Sequence, residues 1–168
     1  MKKLEKIEDL FNFKVLTLII ILISADLMTK GLAIANLSMG VSNDFFFPFI
    51  ELLLINNYGV AFGVFDSGGS TSSKILLILG ILILFYLFYL LTNEENKKKK
   101  IALSIILGGA MGNIIDRALN GFVTDFLHLK VNNFSFFIFN LADVFITIGA
   151  VLIIYFEIKI NTINVKTN

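Results

Sequence analysis

The sequence predicts an all-α integral membrane protein with four transmembrane helices, both termini cytoplasmic, and a small β-rich platform at the outer face between helices 1 and 2. Three observations lead there. Of 168 residues, 57% are apolar and only 16% charged, and the mean hydropathy is +0.85, too greasy for an ordinary soluble domain. The charges sit in short clusters between long uncharged runs. The lysines near the ends of those runs fall mostly on one side of the membrane, which fixes orientation.

The four runs are residues 15–35, 75–91, 101–117 and 140–156. A helix rises 1.5 Å per residue, so roughly 20 residues cross a hydrocarbon core of roughly 30 Å. Residues 101–115 are short for a span unless Asp116 and Arg117 continue the last turn at the interface. Lys2, Lys3, Lys6 and Lys14 precede the first run, as in a secretory signal, but further spans follow instead of a polar domain. An uncleaved first span is therefore expected, and residues 1–168 read as one membrane-embedded domain. Lys97 to Lys100 occupy the loop 92–100, and Lys159 and Lys166 the carboxyl tail, all on the side of the amino terminus. The opposite side, with the longer loops 36–74 and 118–139, holds only Lys74, Lys130 and, at the end of the third run, Arg117. The sequence has no cysteine, which excludes disulfides, thiol catalysis and Cys-ligated zinc. A net charge of +1 gives no basic footprint for nucleic acid.

Depth sorts the acids. Asp143 lies 14 residues before Glu157 at the inner end of the last span, roughly 21 Å from the cytoplasmic side. Asp116 falls at a similar height, Asp26 and Lys30 in the middle and outer half of the first span, and Asp125 in the outer loop. Ionisable groups at membrane depth cost about 2.5–3.5 kcal/mol each on insertion scales, so each needs a partner or a task. Asp26 and Lys30, spaced i,i+4, suit a salt bridge on one helix face. Asp116 beside Arg117 suits an interfacial ion pair, and Asn140 shares a face with Asp143 at i,i+3. Asp125 and Asp143 have no cation close in sequence.

The outer loops carry β signals. Phe45 to Ile55 and the following NNYGVAFG read as strand, turn, strand, with Asn57 and Gly59 at the turn. Phe134 to Phe139 is a second aromatic run with β character. These stretches serve either as interfacial anchors or as a platform for an extended apolar peptide. Gly108 and Gly112 form a G-x-x-x-G pair with Gly109 beside it, which lets helices pack closely around Asn113 and Asp116.

Two neighbouring carboxyls cannot both ionise cheaply, so one keeps its proton. The ionised partner can then activate water while the other hydrogen-bonds a scissile carbonyl, with neither metal nor cofactor. A Ser–Lys dyad fits poorly, because Ser24 is six residues from Lys30 and off its face. A metal site would want more than one histidine; His128 reads as an interfacial side chain. A proton- or ion-coupled transporter could use the acids as a relay, but relays spread their acids across the membrane, and no internal repeat is visible.

The motifs DLMTK (Asp26–Lys30), NYGVAFG (Asn57–Gly63), GGAMGNIIDR (Gly108–Arg117), VTDF (Val123–Phe126) and FNLAD (Phe139–Asp143) appear in that order. With them the chain resembles bacterial lipoprotein signal peptidase, signal peptidase II, over nearly its full length. The resemblance implies an aspartic endopeptidase of the bacterial inner membrane, working near the extracytoplasmic face. It would remove signal peptides from diacylglyceryl-modified prolipoproteins just before the lipidated cysteine. It implies Asp125 and Asp143 as the catalytic dyad, with Asn57, Gly59, Asn113, Arg117 and Asn140 contacting substrate or ordering the dyad. Asp26, Lys30 and Asp116 would be structural polar residues. Expected partners are the lipidated prolipoproteins, membrane lipids and the cyclic peptide inhibitor globomycin, and a monomer is expected. Thr124 departs from the second aliphatic residue usual in VTDF, and the tail before the first span is somewhat long.

Overall fold

The computed structural model describes residues 13–59, 69–131 and 134–166. Lys2, Lys3 and Lys6, the NYGVAFG positions 60–63 and Gly68 lie outside them. Four helices dominate: α1 (Phe13–Asn36), α2 (Gly69–Asn93), α3 (Lys97–Asn120) and α4 (Leu141–Lys166). Each contains a stretch long and apolar enough to cross a membrane. Their outward faces expose Ile20, Ile78, Leu82, Phe85, Ile154 and Tyr155, a surface suited to lipid and untenable in water.

Helix α3 is the hub and packs against each of the other three helices. Its glycines make that possible. Gly108 and Gly112 face α1: a Cβ at Gly108 would lie 3.0 Å from the Leu22 side chain, and one at Gly112 2.5 Å from Asp26 Oδ2. Gly109 faces the opposite way, where a Cβ would lie 2.5 Å from the backbone oxygen of Ala142 on α4. The G-x-x-x-G pair and its neighbour thus serve two interfaces, not one. Val15, Ile19, Leu91, Leu103 and Leu107 form the apolar core between the helices. Asn96 starts α3 by accepting from the backbone N–H groups of Lys98 and Lys99 at 2.9 and 3.3 Å. Gly121, at φ 78°, ends it in the left-handed conformation. Lys99 pairs with Glu157, joining the start of α3 to α4.

At the other end of the bundle sits an antiparallel sheet in the order β1 (Ser42–Asp44), β2 (Ile50–Asn57), β3 (Val123–Val131), β4 (Phe134–Phe139). This corrects the expected platform between helices 1 and 2. Half its strands come from the segment between α3 and α4, and β3, which carries Asp125, is a strand where a loop was expected. The sequence VTDFLHLKV is buried from Val123 through Phe126 and again at His128, on both faces of the strand, and the polarity of Thr124, Asp125 and His128 hides it. Phe45 to Phe49 is not strand. The chain turns there, with Phe49 at φ 71°. The sheet seats on α1 through Ala33, Leu54 and Phe126.

One irregularity in the sheet positions the site. Leu52 pairs with Leu127 and Ile55 with Asp125, so β2 carries one extra residue there. Side chains alternate faces along a strand, and one inserted residue reverses every face beyond it. Without the bulge Asn57 would share the face of Glu51 and His128. With it, Asn57 shares the face of Val123 and Asp125.

The close approach of α3 and α4 gives a direct test. Gly109→Ala should lower unfolding stability in detergent by about 1–3 kcal/mol, because a backbone carbonyl cannot yield as a side-chain tip can. Gly31→Ala, where an added Cβ meets nothing within 4 Å, should leave stability unchanged or slightly raised. Circular-dichroism melts of both variants would measure this; equal melting temperatures would refute the packing account.

Candidate active site

Asp125 and Asp143 line one cavity of about 330 Å³ together with Asn57, Asn113 and Arg117. Its remaining walls are largely apolar, including Leu76, Gly80 and Ile83 of α2 and Ile146 of α4. Asp125 comes from β3 and is 1% exposed. Asp143 comes from the first turn of α4, and it also borders a shallower groove of about 220 Å³ with Phe137, Phe139 and Thr147.

The start of α4 orders both acids. Asn140 Oδ1 accepts from the Asp143 backbone N–H, and Asp143 Oδ2 accepts from the Asn140 backbone N–H, each at 3.1 Å. This reciprocal pair is a capping box with Asn in place of Ser and Asp in place of Glu. The i,i+3 neighbours read from the sequence meet here, through backbone donors. Asn140 then uses Nδ2 to donate to Asp125 Oδ1 at 2.6 Å. One buried residue, 0% exposed, thereby starts the helix and joins the two carboxyls.

The other oxygens are held in the same way. Asn57 Nδ2 donates to Asp125 Oδ2 at 2.8 Å, and Asn113 Nδ2 donates to Asp143 Oδ1 at 2.8 Å. Asn57 is itself fixed by the Gly59 N–H, which donates to its Oδ1 at 2.8 Å. Gly59 has φ 110°, and a Cβ there would lie 2.1 Å from the Leu76 side chain. The left-handed φ calls for glycine, and a Cβ would in addition push the Leu76 tip aside. Burial pushes the Asp125 carboxyl up from its ordinary 3.8 to about 6; the Asn57 and Asn140 donors oppose this and the Asp143 charge adds to it.

Behind Asp143 lies a buried ionic cluster. Lys30, 2% exposed, donates to Asp26 Oδ2 at 2.7 Å and Asn113 Oδ1 at 2.8 Å, and lies 3.5 Å from Asp116 Oδ2. The i,i+4 pair read from the sequence is present, with wider reach than expected. Asp26 Oδ1 also accepts from the Ala142 backbone N–H at 2.9 Å, so α1 caps the start of α4. Asp116 does not take Arg117 as its partner. Successive helix positions diverge by about 100°, and Asp116 points inward to Lys30 and to the Thr124 backbone N–H at 2.7 Å. Arg117 turns to the cavity and donates to Ser73 Oγ at 3.0 Å.

Sequence reasoning missed three contributors. Thr124, 0% exposed, anchors the start of β3 on Asp116; its departure from the aliphatic pattern was the only signal. Ser73 and the Ala142 backbone N–H carried none, since neither residue type marks a site. His128 is not an interfacial side chain. It is 6% exposed, lies 2.7 Å through Nε2 from Ser135 Oγ, and its Nδ1 lies 3.6 Å from Glu51 Oε2. No group of three or more metal-ligating side chains occurs among the described residues.

Comparison with known proteins agrees with this architecture. Residues 18–159 match the family model for signal peptidase (SPase) II. A lipoprotein signal peptidase of Polynucleobacter necessarius subsp. necessarius is 36% identical over 153 residues, covering 90% of this chain and 93% of that protein. The lipoprotein signal peptidase of Burkholderia thailandensis is 39% identical over 141 residues, covering 83% and 84%. Two solved structures described as bacterial membrane enzymes superpose with TM-scores of 0.76 and 0.78 at 30% identity. They cover 89% of this chain and 90% and 95% of their own. This four-helix membrane protein belongs to the signal peptidase II family of proteases.

Proposed function

We propose that the chain is an intramembrane aspartic endopeptidase that removes signal peptides from diacylglyceryl-modified prolipoproteins, cutting just before the lipidated cysteine. The observation that carries this reading is a pair of carboxyls on one cavity, held by amide N–H donors instead of cations. Salt-bridged acids such as Asp26 are committed to a counter-ion; Asp125 and Asp143 keep their proton chemistry available.

The mechanism uses one ionised and one protonated carboxyl. The ionised one takes a proton from water, and the water oxygen bonds to the carbonyl carbon of the residue before the cysteine. The protonated one donates to the carbonyl oxygen as it becomes tetrahedral. The C–N bond then breaks, the cysteine nitrogen takes a proton from the first acid, the carbonyl oxygen returns its proton to the second, and the signal peptide leaves with a new carboxyl. Asn57, Asn113 and Asn140 hold the two acids in register. Arg117, on the cavity wall, suits the substrate backbone. The apolar wall from α2 and α4 suits the signal helix or acyl chains arriving sideways from lipid.

In this reading both termini are cytoplasmic, the sheet and dyad lie at the extracytoplasmic face of the bacterial inner membrane, and the protein acts as a monomer. Lysines 97–100 and 159 at one end of the bundle, against Lys74 and Lys130 at the other, support that orientation. Globomycin, as a cyclic peptide, would occupy the cavity in place of substrate.

Asp125→Asn and Asp143→Asn should each reduce cleavage of a lipidated prolipoprotein about a thousandfold or more while the protein still inserts. A gel-shift assay with and without globomycin measures this; turnover near wild type in either variant sinks the dyad. A second test reads the Asp125 proton. A carboxyl raised in the native state contributes stability that is fully present below 3.8 and lost as pH rises through about 6. Lowering pH from 7.5 to 5 should therefore stabilise wild type relative to Asp125→Asn by about 1 kcal/mol. A change of the opposite sign in paired denaturation curves would contradict the protonated, buried Asp125.

A further inference from the structure

The amide groups around the dyad share one construction. Each asparagine that donates through Nδ2 has its Oδ1 pinned by another donor: Asn57 by the Gly59 N–H, Asn140 by the Asp143 N–H, and Asn113 by Lys30 Nζ. A side-chain amide is nearly symmetric in shape, and which end faces a carboxyl is set by its other partner. A donor on the oxygen therefore forces the NH₂ toward the acid. Two of the three pins are backbone groups that no substitution other than proline removes. The third is a side chain, 83 residues from Asn113 in the sequence.

We infer that Lys30 is a positioning residue of the peptidase reaction: through Asn113 it keeps an N–H donor on Asp143, and this decides how the dyad holds its proton. The inference rests on the proposed dyad and goes beyond a structural salt bridge. Lys30 touches neither carboxyl of the dyad by any hydrogen bond or ion pair among the described residues. It sits one amide away, with its ammonium bonded at once to Asp26 Oδ2 and Asn113 Oδ1 at 2.7 and 2.8 Å. If Lys30 served only to neutralise Asp26, the contact to Asn113 would be idle. Instead the carboxyl–ammonium–amide–carboxyl chain runs unbroken from Asp26 to Asp143.

Without the Lys30 donor, Asn113 is free to rotate its amide and present Oδ1 to Asp143. An amide oxygen accepts, so it favours a carboxylic acid there, whereas an amide N–H favours a carboxylate. The dyad would then keep its proton or protons to higher pH. The charged groups bearing on this equilibrium are Asp26 and Lys30 from α1, Asp116 and Arg117 from α3, Asp125 from β3 and Asp143 itself. Among them only Lys30 acts through a rotatable amide.

Lys30→Met alone would leave Asp26 buried without its cation, so the informative protein is the double variant Asp26→Asn/Lys30→Met. The asparagine oxygen can still accept from the Ala142 N–H, the Asp26–Lys30 pair is removed together, and Asp116 loses its cation but keeps the Thr124 N–H and Asn120 amide as donors. Asn113→Leu, which removes the amide itself, and Lys30→Arg, which keeps a cationic donor, complete the set. The measurement is the pH dependence of kcat and KM for cleavage of a lipidated prolipoprotein peptide by purified full-length protein. The double variant and Asn113→Leu should both lose about 10- to 100-fold in kcat near neutral pH with KM within about threefold. Their acid limb should move to higher pH by about one unit, and Lys30→Arg should restore part of both. A double variant whose loss appears only as lower melting temperature, or whose acid limb coincides with wild type, overturns the role. Asp143→Asn run alongside separates failure of this inference from failure of the dyad, since that variant must be inactive at every pH for the dyad to stand.

Discussion

The structure depends on one buried ammonium. Lys30 gathers Asp26 from its own helix, Asp116 and Asn113 from α3, and, through Asp26, the first turn of α4. Removing such charges from water costs several kcal/mol per ion, and only a complete set of partners repays it. The cluster is therefore cooperative, and it fixes three helices and the start of β3 relative to one another. It lies directly behind the cavity, so the accuracy of the dyad is inherited from it. The glycines of α3 are the steric counterpart, since Asp26 could not lie against α3 if Gly112 carried a side chain.

Around that centre the chain separates two kinds of acid. Asp26 and Asp116 each bind a cation and a backbone N–H, and Asp116 takes the Asn120 amide on its other oxygen. Asp125 and Asp143 receive only amide donors. Neutral donors orient a carboxyl and favour its charged form modestly, whereas a buried cation favours it strongly. This distinction, more than proximity alone, suits the second pair to proton transfer. It also suits the three asparagines around the two acids: asparagine is the smallest side chain that donates from one atom while a different atom accepts the pin.

The four helices were legible because apolar runs of spanning length have few other readings, and the intramembrane acids were legible by depth. The i,i+4 partnership of Lys30 and Asp26 follows from helix geometry and is present. The Asp116–Arg117 pairing failed for the same reason the other succeeded: adjacent helix positions point apart. The sheet was only half visible. An aromatic run marked β4, but β3 is polar at Thr124, Asp125 and His128, and polarity in a strand reads as loop. The bulge in β2 left no sequence signal at all, although it decides which face Asn57 joins. Nor could spacing show that Asn113 links Lys30 to Asp143, because that contact depends on how α1, α3 and α4 cross. Pinned amides are a tertiary property, and sequence reveals the amide without its orientation.

In the proposed mechanism, two carboxyls and a water molecule suffice to cut a peptide bond in this membrane site. Mass spectrometry of the products from a diacylglyceryl-modified prolipoprotein, cleaved in ¹⁸O-enriched water with and without a metal chelator, tests it most directly. The account predicts a signal peptide ending at the residue before the lipidated cysteine. Its new carboxyl should carry a solvent oxygen, and the rate should be unchanged by the chelator. Cleavage at another bond, or activity abolished by the chelator and restored by a divalent metal, would contradict it.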